Sequence, residues 1–324
     1  MPHDLPVHVM DIGGSHITAA LTLGGTVLAR AHRDIDPHGS VDEIVGGWAA
    51  ACLELAGAGA GAASGGAAEA AGASPPTSIA GASWGIAMPD PFDFERGVGT
   101  FDNVGKFEQL ANVDLRGELA RRLDTAPDRI RFVHDAGAYG IGEWVYGEAV
   151  GFDRAVCITL GTGVGSSFLD HGVPVKTRGD VPTNGTAHLL SIDGRPLEET
   201  VSTRALIAGY ERMTGETITV KTIAERSRAG DQRATDLLDS TYFALGSALA
   251  PWIDAFDAAV LVAGGSISRS WNILEPPFAR ASRPPTRSAR QPSRCAPRTC
   301  STTRPCSAPR IGSRTPDPRK LLAH

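Results

Sequence analysis

Residues 131–169, RFVHDAGAYGIGEWVYGEAVGFDRAVCITLGTGVGSSFL, decide how the rest of the chain is read. A short apolar run (Ile130, Phe132, Val133) ends at a lone acid, Asp135, and a helix-like run over 136–144 begins there. A β-run over 155–160 then breaks into Gly161-Thr162-Gly163-Val164-Gly165. A strand ending in such a turn exposes successive backbone N–H groups with no Cβ in the way, and can wrap an anion, most often a phosphate. An acid at the C-terminal end of a strand sits where open α/β sheets bind ligands. The two together point to phosphoryl transfer with the acid as base. Taken alone, the glycine turn is equally well read as a tight hairpin.

The chain has 324 residues, enough for about two domains. Its 42% hydrophobic and 21% charged residues fit a soluble globular protein. The opening MPHDLPVHVMDIGG has no basic segment followed by an apolar one, and no stretch approaches a membrane span, so a cytoplasmic protein is expected. Among five cysteines, Cys52 and Cys157 lie in apolar runs and read as buried free thiols; no C-x-x-C pair supports a zinc ribbon or redox motif. The net charge of −5 hides an asymmetry: residues 276–324 hold eleven Lys/Arg against one acid, Asp317. The remaining chain is strongly acidic, which disfavours nucleic acid as a partner.

Residues 7–10 form an apolar run that bends at Asp11-Ile12-Gly13-Gly14-Ser15-His16 and resumes over 17–23. Gly24-Gly25 turns it into 26–31. Two readings of the bend stay open: a phosphate loop whose Asp11 holds hydrated Mg²⁺, or an acid capping a turn. Helical spacing marks 41–55, whereas 56–78 is almost wholly Ala, Gly, Ser and Pro and reads as a flexible insertion. A strand over 79–88, a helix over 113–123 capped by Asn112, and a strand over 127–133 follow. Beyond the 155–160 strand, a second hairpin turns at Asp170-His171-Gly172, repeating the pattern near Asp11. Helices are expected over 197–210, 222–229 and 231–256, the last kinked at Pro251. A final strand over 258–262 leads into Gly264-Gly265-Ser266, a third glycine turn suited to a nucleotide.

Three glycine turns in this order, with Asp135 between the first two, resemble the sugar kinase, actin and Hsp70 superfamily. More narrowly they resemble the ROK family of bacterial sugar kinases and repressors, from about Val7 to about Leu274. The family's Asp-x-Gly-Gly-Thr-Lys stands here as Asp11 to His16, its Asn-Asp-Ala as His134-Asp135-Ala136, and its Gly-Thr-Gly-Ile-Gly as 161–165. Its Gly-Gly-Ser is Gly264-Gly265-Ser266, and its Leu-Glu-x-x-x-Ser is Leu197-Glu198 with Ser202. Departures are as specific. Pro89-Asp90 stands where the family often has Pro-Gly, and His134 where it has a sugar-binding Asn. Glu-x-Gly-His is reduced to Gly185-Thr186-Ala187-His188, and the cysteine-rich zinc segment is missing over 191–196, so no zinc site is carried over.

The resemblance implies a two-lobed α/β fold, actin-like and built on ribonuclease H-like halves, with a ligand cleft between the lobes. Residues 1–134 would form the first lobe and 135–275 the second. ATP would be bound by Asp11, Gly13, Gly14, Ser15, Gly161, Thr162, Gly163, Gly165, Gly264 and Gly265, with Mg²⁺ near Asp11. A sugar would be held by Asn103, His134, His188 and Glu198, and Asp135 would be the catalytic base. It also implies a homodimer. Repressors of the family carry a winged helix before the first loop; this chain reaches Asp11 almost at once, which favours the kinase branch. Two rivals remain, a non-catalytic sugar-binding or regulatory protein and a superfamily member acting on a non-sugar hydroxyl. After Leu274 the text turns to Arg, Pro, Ser, Thr and Cys without apolar periodicity. Residues 276–324 read as a basic arm, a disordered tail, or, the preferred reading, an out-of-frame translation of GC-rich DNA.

Overall fold

The computed structural model describes residues 6–58, 78–102, 104–282 and 294–297. The chain divides into two compact units, Met1–Ala138 and Tyr139–His324. The stretch read as a flexible insertion lies outside the described residues, except that 56–58 complete a helix and Ser78 is described.

In the first unit, β1 (Val7–Ile12), β2 (His16–Leu23) and β3 (Thr26–Asp34) form an antiparallel meander. The β2–β3 turn needs positive φ at both central residues, and Gly24 (φ 54°) and Gly25 (φ 84°) supply it. Helix α1 (Val41–Ala58) starts at a reciprocal cap. The Glu43 N–H donates to Ser40 Oγ at 3.3 Å, and the Ser40 N–H donates to Glu43 Oε2 at 2.8 Å. Its apolar stripe, Ile44, Val45, Trp48, Cys52 and Leu55, is buried against the sheet core. Strand β4 (Trp84–Met88) pairs parallel with β1, and β5 (Phe92–Asp93) with β6 (Val98–Gly99) makes a small hairpin. Helix α2 (Leu115–Arg122) is capped by Asp114, whose side chain accepts the Gly117 N–H at 3.0 Å, and not by Asn112. Asn112 instead takes a left-handed turn, φ 61°. Strand β7 (Ile130–His134) pairs parallel with β4, so the sheet order is β3-β2-β1-β4-β7.

Helix α3 (Asp135–Tyr146) contains the boundary between the units. The second unit repeats the meander with β8 (Arg154–Leu160), β9 (Val164–Asp170) and β10 (Val173–Pro174). A small hairpin, β11 (Ser191–Ile192) and β12 (Arg195–Pro196), follows. The helix expected over 197–210 is two helices, α4 (Glu198–Val201) and α5 (Thr203–Thr214). Ser202 between them is extended, and its Oγ accepts the Ala205 N–H as the cap of α5. Next come α6 (Val220–Arg228) and α7 (Gln232–Ala255), which continues through Pro251. Strand β13 (Val260–Gly264) pairs parallel with β8, and helix α8 (Trp271–Ser282) and strand β14 (Arg294–Pro297) complete the described chain. The sheet order, β10-β9-β8-β13-β14, is that of the first unit.

The first residues of 276–324, the stretch read as a basic arm, a disordered tail or an out-of-frame translation, are helical. Residues 276–282 belong to α8, whose Trp271, Leu274 and Phe278 are buried in the second core, and β14 pairs parallel with β13. The rest of that stretch lies outside the described residues. Helix α8 packs closely on α7 because position 246 is glycine: a Cβ there would lie 2.5 Å from the Phe278 carbonyl oxygen and 2.9 Å from Ala281 Cβ. Phe278→Ala should therefore cost about 3–5 kcal/mol of unfolding free energy in chemical denaturation, as for other buried aromatic truncations. A change under 1 kcal/mol would mean that α8 is not part of the core.

Candidate active site

Three neighbouring parallel strands of the first unit end in acids. Asp11 lies near the end of β1 opposite Ala87 of β4, Asp90 follows β4 by two residues, and Asp135 follows β7 directly. The last residue of β7, His134, stands between two of them. Its Nε2 is 3.3 Å from Asp90 Oδ2 and 3.3 Å from Asp135 Oδ1. The ring is mostly buried, with Phe94 edge-on at 6.0 Å. Asp135 Oδ1 also accepts the Ala136 N–H at 2.6 Å. Among the described residues no donor reaches Oδ2, which leaves that oxygen available for a substrate proton.

Partial removal from water raises the Asp11 carboxyl above its ordinary range although the residue stays exposed at the surface; the negative charge of Asp135 adds to the rise, and His16 partly offsets it. The glycine bend beside it is closed by the Gly13 N–H donating to the His16 carbonyl at 2.9 Å. Among the described residues the Gly14 and Ser15 N–H groups find no acceptor. Lys106 runs past this bend: a Cβ on Gly14 would lie 3.3 Å from its Cδ and 3.9 Å from its Nζ. Asn103 lies outside the described residues.

In the second unit the β8–β9 bend has the same construction. The Gly161 N–H donates to the Gly163 carbonyl at 3.0 Å. Thr203 fixes the Gly161 carbonyl twice, through its N–H at 2.9 Å and its hydroxyl at 2.8 Å. Among the described residues the Thr162 and Gly163 N–H groups have no acceptor. Gly165 is already within β9, opposite Thr159. Glu198, the first residue of α4, accepts the Val164 N–H through Oε1 at 2.8 Å. A Cβ on Gly163 would collide with that same oxygen.

His188 sits on a single turn, Ala187–Leu189, that Ser166 secures. The Ser166 hydroxyl donates to the Gly185 carbonyl at 2.9 Å and accepts the Ala187 N–H at 2.7 Å. The third glycine pair answers to internal packing. A Cβ on Gly264 would strike the Tyr139 ring, and one on Gly265 (φ 88°) the Leu160 carbonyl.

A family model described as "ROK family" matches residues 80–291. The chain belongs to the ROK family. A glucokinase of Thermotoga maritima is 29% identical over 216 residues, 60% of this chain and 67% of that protein. An N-acetyl-D-glucosamine kinase of Pectobacterium carotovorum is 26% identical over 196 residues, 53% of this chain and 63% of that one. Among solved structures, a ROK family glucokinase of Streptomyces griseus in complex with glucose and AMPPNP superposes with a TM-score of 0.64 at 22% identity, covering 86% of this chain and 92% of its own. A ROK family transcriptional regulator, homologous to the E. coli MLC protein, superposes at 0.66 and 21% identity over 86% of this chain and 69% of its own. These likenesses fix the fold as the actin-like, two-unit architecture of the family, and the named sequence relatives are carbohydrate kinases.

Sequence reasoning missed Asp90 and Lys106 beside the acids and glycine bend of the first unit, and Thr203 at the glycine bend of the second. In the sequence Asp90 stands out only as a departure from Pro-Gly, and nothing in linear spacing links it to His134, 44 residues on. Two predictions follow from the geometry. Glu198→Ala removes the acceptor of a buried N–H, so the Val164 amide should exchange with solvent measurably faster; unchanged exchange would show that Glu198 does not hold the loop. Because Asp11 has a raised carboxyl, its ionised form weakens the fold. The stability it lends is complete below its ordinary titration and is lost as pH rises through the raised one. Asp11 is exposed, so water screens the effect: Asp11→Asn should raise the thermal midpoint at neutral pH only slightly, and the gain should vanish on acidification; a clearly lowered midpoint would contradict the cause assigned here.

Proposed function

We propose that this protein is an ATP-dependent sugar kinase that phosphorylates a hexose, glucose-like or N-acetylated, at a hydroxyl group, O6 by family resemblance. The observation that carries this reading is Asp135, held through Oδ1 at a strand end with Oδ2 left open. In the proposed reaction Oδ2 takes the proton of the sugar hydroxyl while that oxygen attacks the γ-phosphorus. The new P–O bond forms as the bond to the β-phosphate oxygen breaks, and ADP leaves with the electron pair. The paired free N–H donors at Gly14 and Ser15, and at Thr162 and Gly163, suit phosphate oxygens. Asn103, His134, His188 and Glu198 are the proposed sugar contacts; the second oxygen of Glu198 has no donor among the described residues.

A hydrated Mg²⁺ fits Asp11. Its ionised carboxyl is disfavoured first by partial loss of water and then by the charge of Asp135, with only His16 to offset them, and such ions are typically held by one or two carboxylates together with substrate phosphates. When bound it would offset charge on the phosphates. The residues around Asp135 would do the rest by positioning and by fixed dipoles.

The test is ADP release with MgATP across hexoses and N-acetylhexosamines, with Asp135→Asn in parallel. Turnover on a sugar that falls roughly 10²–10⁴-fold in the variant, with sugar binding retained, is expected for loss of a general base. An active Asp135→Asn enzyme would remove Asp135 from that role. Sugar binding without ADP release would identify a non-catalytic sugar-binding protein.

A further inference from the structure

His134 and Asp90 are both departures from the resembled ROK pattern, and the structure puts them in contact. Where the pattern has Gly and Asn, neither position carries a charge. Here one nitrogen, His134 Nε2, stands at equal distance from a carboxylate that the pattern lacks and from the proposed base. We propose that Asp90 is a positioning residue that acts on Asp135 through His134. This rests on the reading of Asp135 as a kinase base.

Three features support it. The His134 ring is confined: Phe94 meets it edge-on at 80°, and only 15% of the side chain is exposed. Asp90 is 40% exposed, so its contact with His134 contributes little to stability, and what it offers is orientation of the ring. The ring in turn faces Asp135 Oδ1, the oxygen already held by the Ala136 N–H, and so helps to keep Oδ2 as the open one. The two departures depend on each other. Asn at 134 with Asp90 retained would leave two carboxylates near one another without the imidazole between them. Glycine at 90 with His134 retained would leave the ring held from one side only.

The experiment is a double-mutant cycle on the full chain with the sugar that wild type turns over best. Asp90→Gly should lower kcat about tenfold while both KM values stay within about twofold, and Asp90→Asn, which keeps an acceptor oxygen, should recover part of that loss. Asp90→Gly combined with His134→Asn should be no slower than His134→Asn alone. Losses that multiply to about a hundredfold would overturn the proposal, as would a fall in kcat matched by a lowered thermal midpoint in every Asp90 variant.

The imidazole signals of His134 in NMR spectra, assigned by their absence in His134→Asn, give a readout without turnover. They should move in Asp90→Gly; unmoved signals would overturn the proposal. Wild-type protein silent on every sugar would count against the kinase reading, and with it against a catalytic role for Asp90. The ring signals would still decide whether Asp90 holds His134.

Discussion

Acids at the ends of three neighbouring parallel strands repel one another, and water and nearby nitrogens must relieve that repulsion. Strands β1, β4 and β7 deliver Asp11, Asp90 and Asp135 there, and Asp135 already opposes ionisation of Asp11. The protein supplies one nitrogen, His134 Nε2, between Asp90 and Asp135. Asp11 receives only the partial relief of His16. On the kinase reading that imbalance is useful. A carboxylate crowded by another and short of cations favours a divalent ion arriving with the nucleotide.

The scaffold behind this edge is the same unit built twice. Each sheet begins with an antiparallel meander and then adds parallel strands, in the same order. Each meander bends between its first and second strand at glycines, and each bend closes its own first glycine N–H while the next two donors find no acceptor among the described residues. The glycines are required for different reasons. Gly13 and Gly163 do not need positive φ; Gly163 is glycine because the Glu198 carboxylate occupies the place of its side chain. Gly264 yields to Tyr139, and only Gly265 combines a left-handed backbone with a close approach to Leu160. A glycine-rich motif thus marks close approach at least as often as it marks a turn.

Much of this was legible in the chain because the signals were local. The first hairpin announced itself through Gly24-Gly25 between apolar runs, and α1 through the spacing of Ile44, Trp48 and Leu55. What escaped was of two kinds. Local competition was hidden by short-range spacing: Leu197 with Val201 and Leu206 with Tyr210 each keep an i, i+4 step, which reads as one helix, while the five-residue step from Val201 to Leu206 is where Ser202 breaks it and caps α5. Composition also masked periodicity. Pro276-Pro277 and the following arginines read as the end of structure, although Trp271, Leu274 and Phe278 continue one helical face into the core. The second kind is tertiary. His134 with Asp90, Gly14 with Lys106 and Gly161 with Thr203 are brought together only by strand pairing and loop closure, and no spacing along the chain encodes them.

Glu198 shows how the proposed sugar contacts and a phosphate loop are joined within one unit. A carboxylate has about four acceptor positions, and the Val164 N–H takes one of them on Oε1. The remaining capacity, including all of Oε2, suffices for a sugar hydroxyl without release of the loop. A sugar hydroxyl bound at Glu198 would therefore not compete with the bend that starts at Gly161. Thr203 grips the other side of the same bend from α5, one residue beyond the break at Ser202. Had α4 and α5 been one straight helix, Glu198 and Thr203 would lie five residues apart on it, well over one turn and on different faces. The extended Ser202 lets both reach one loop, which gives the break in the helix a physical purpose at the site.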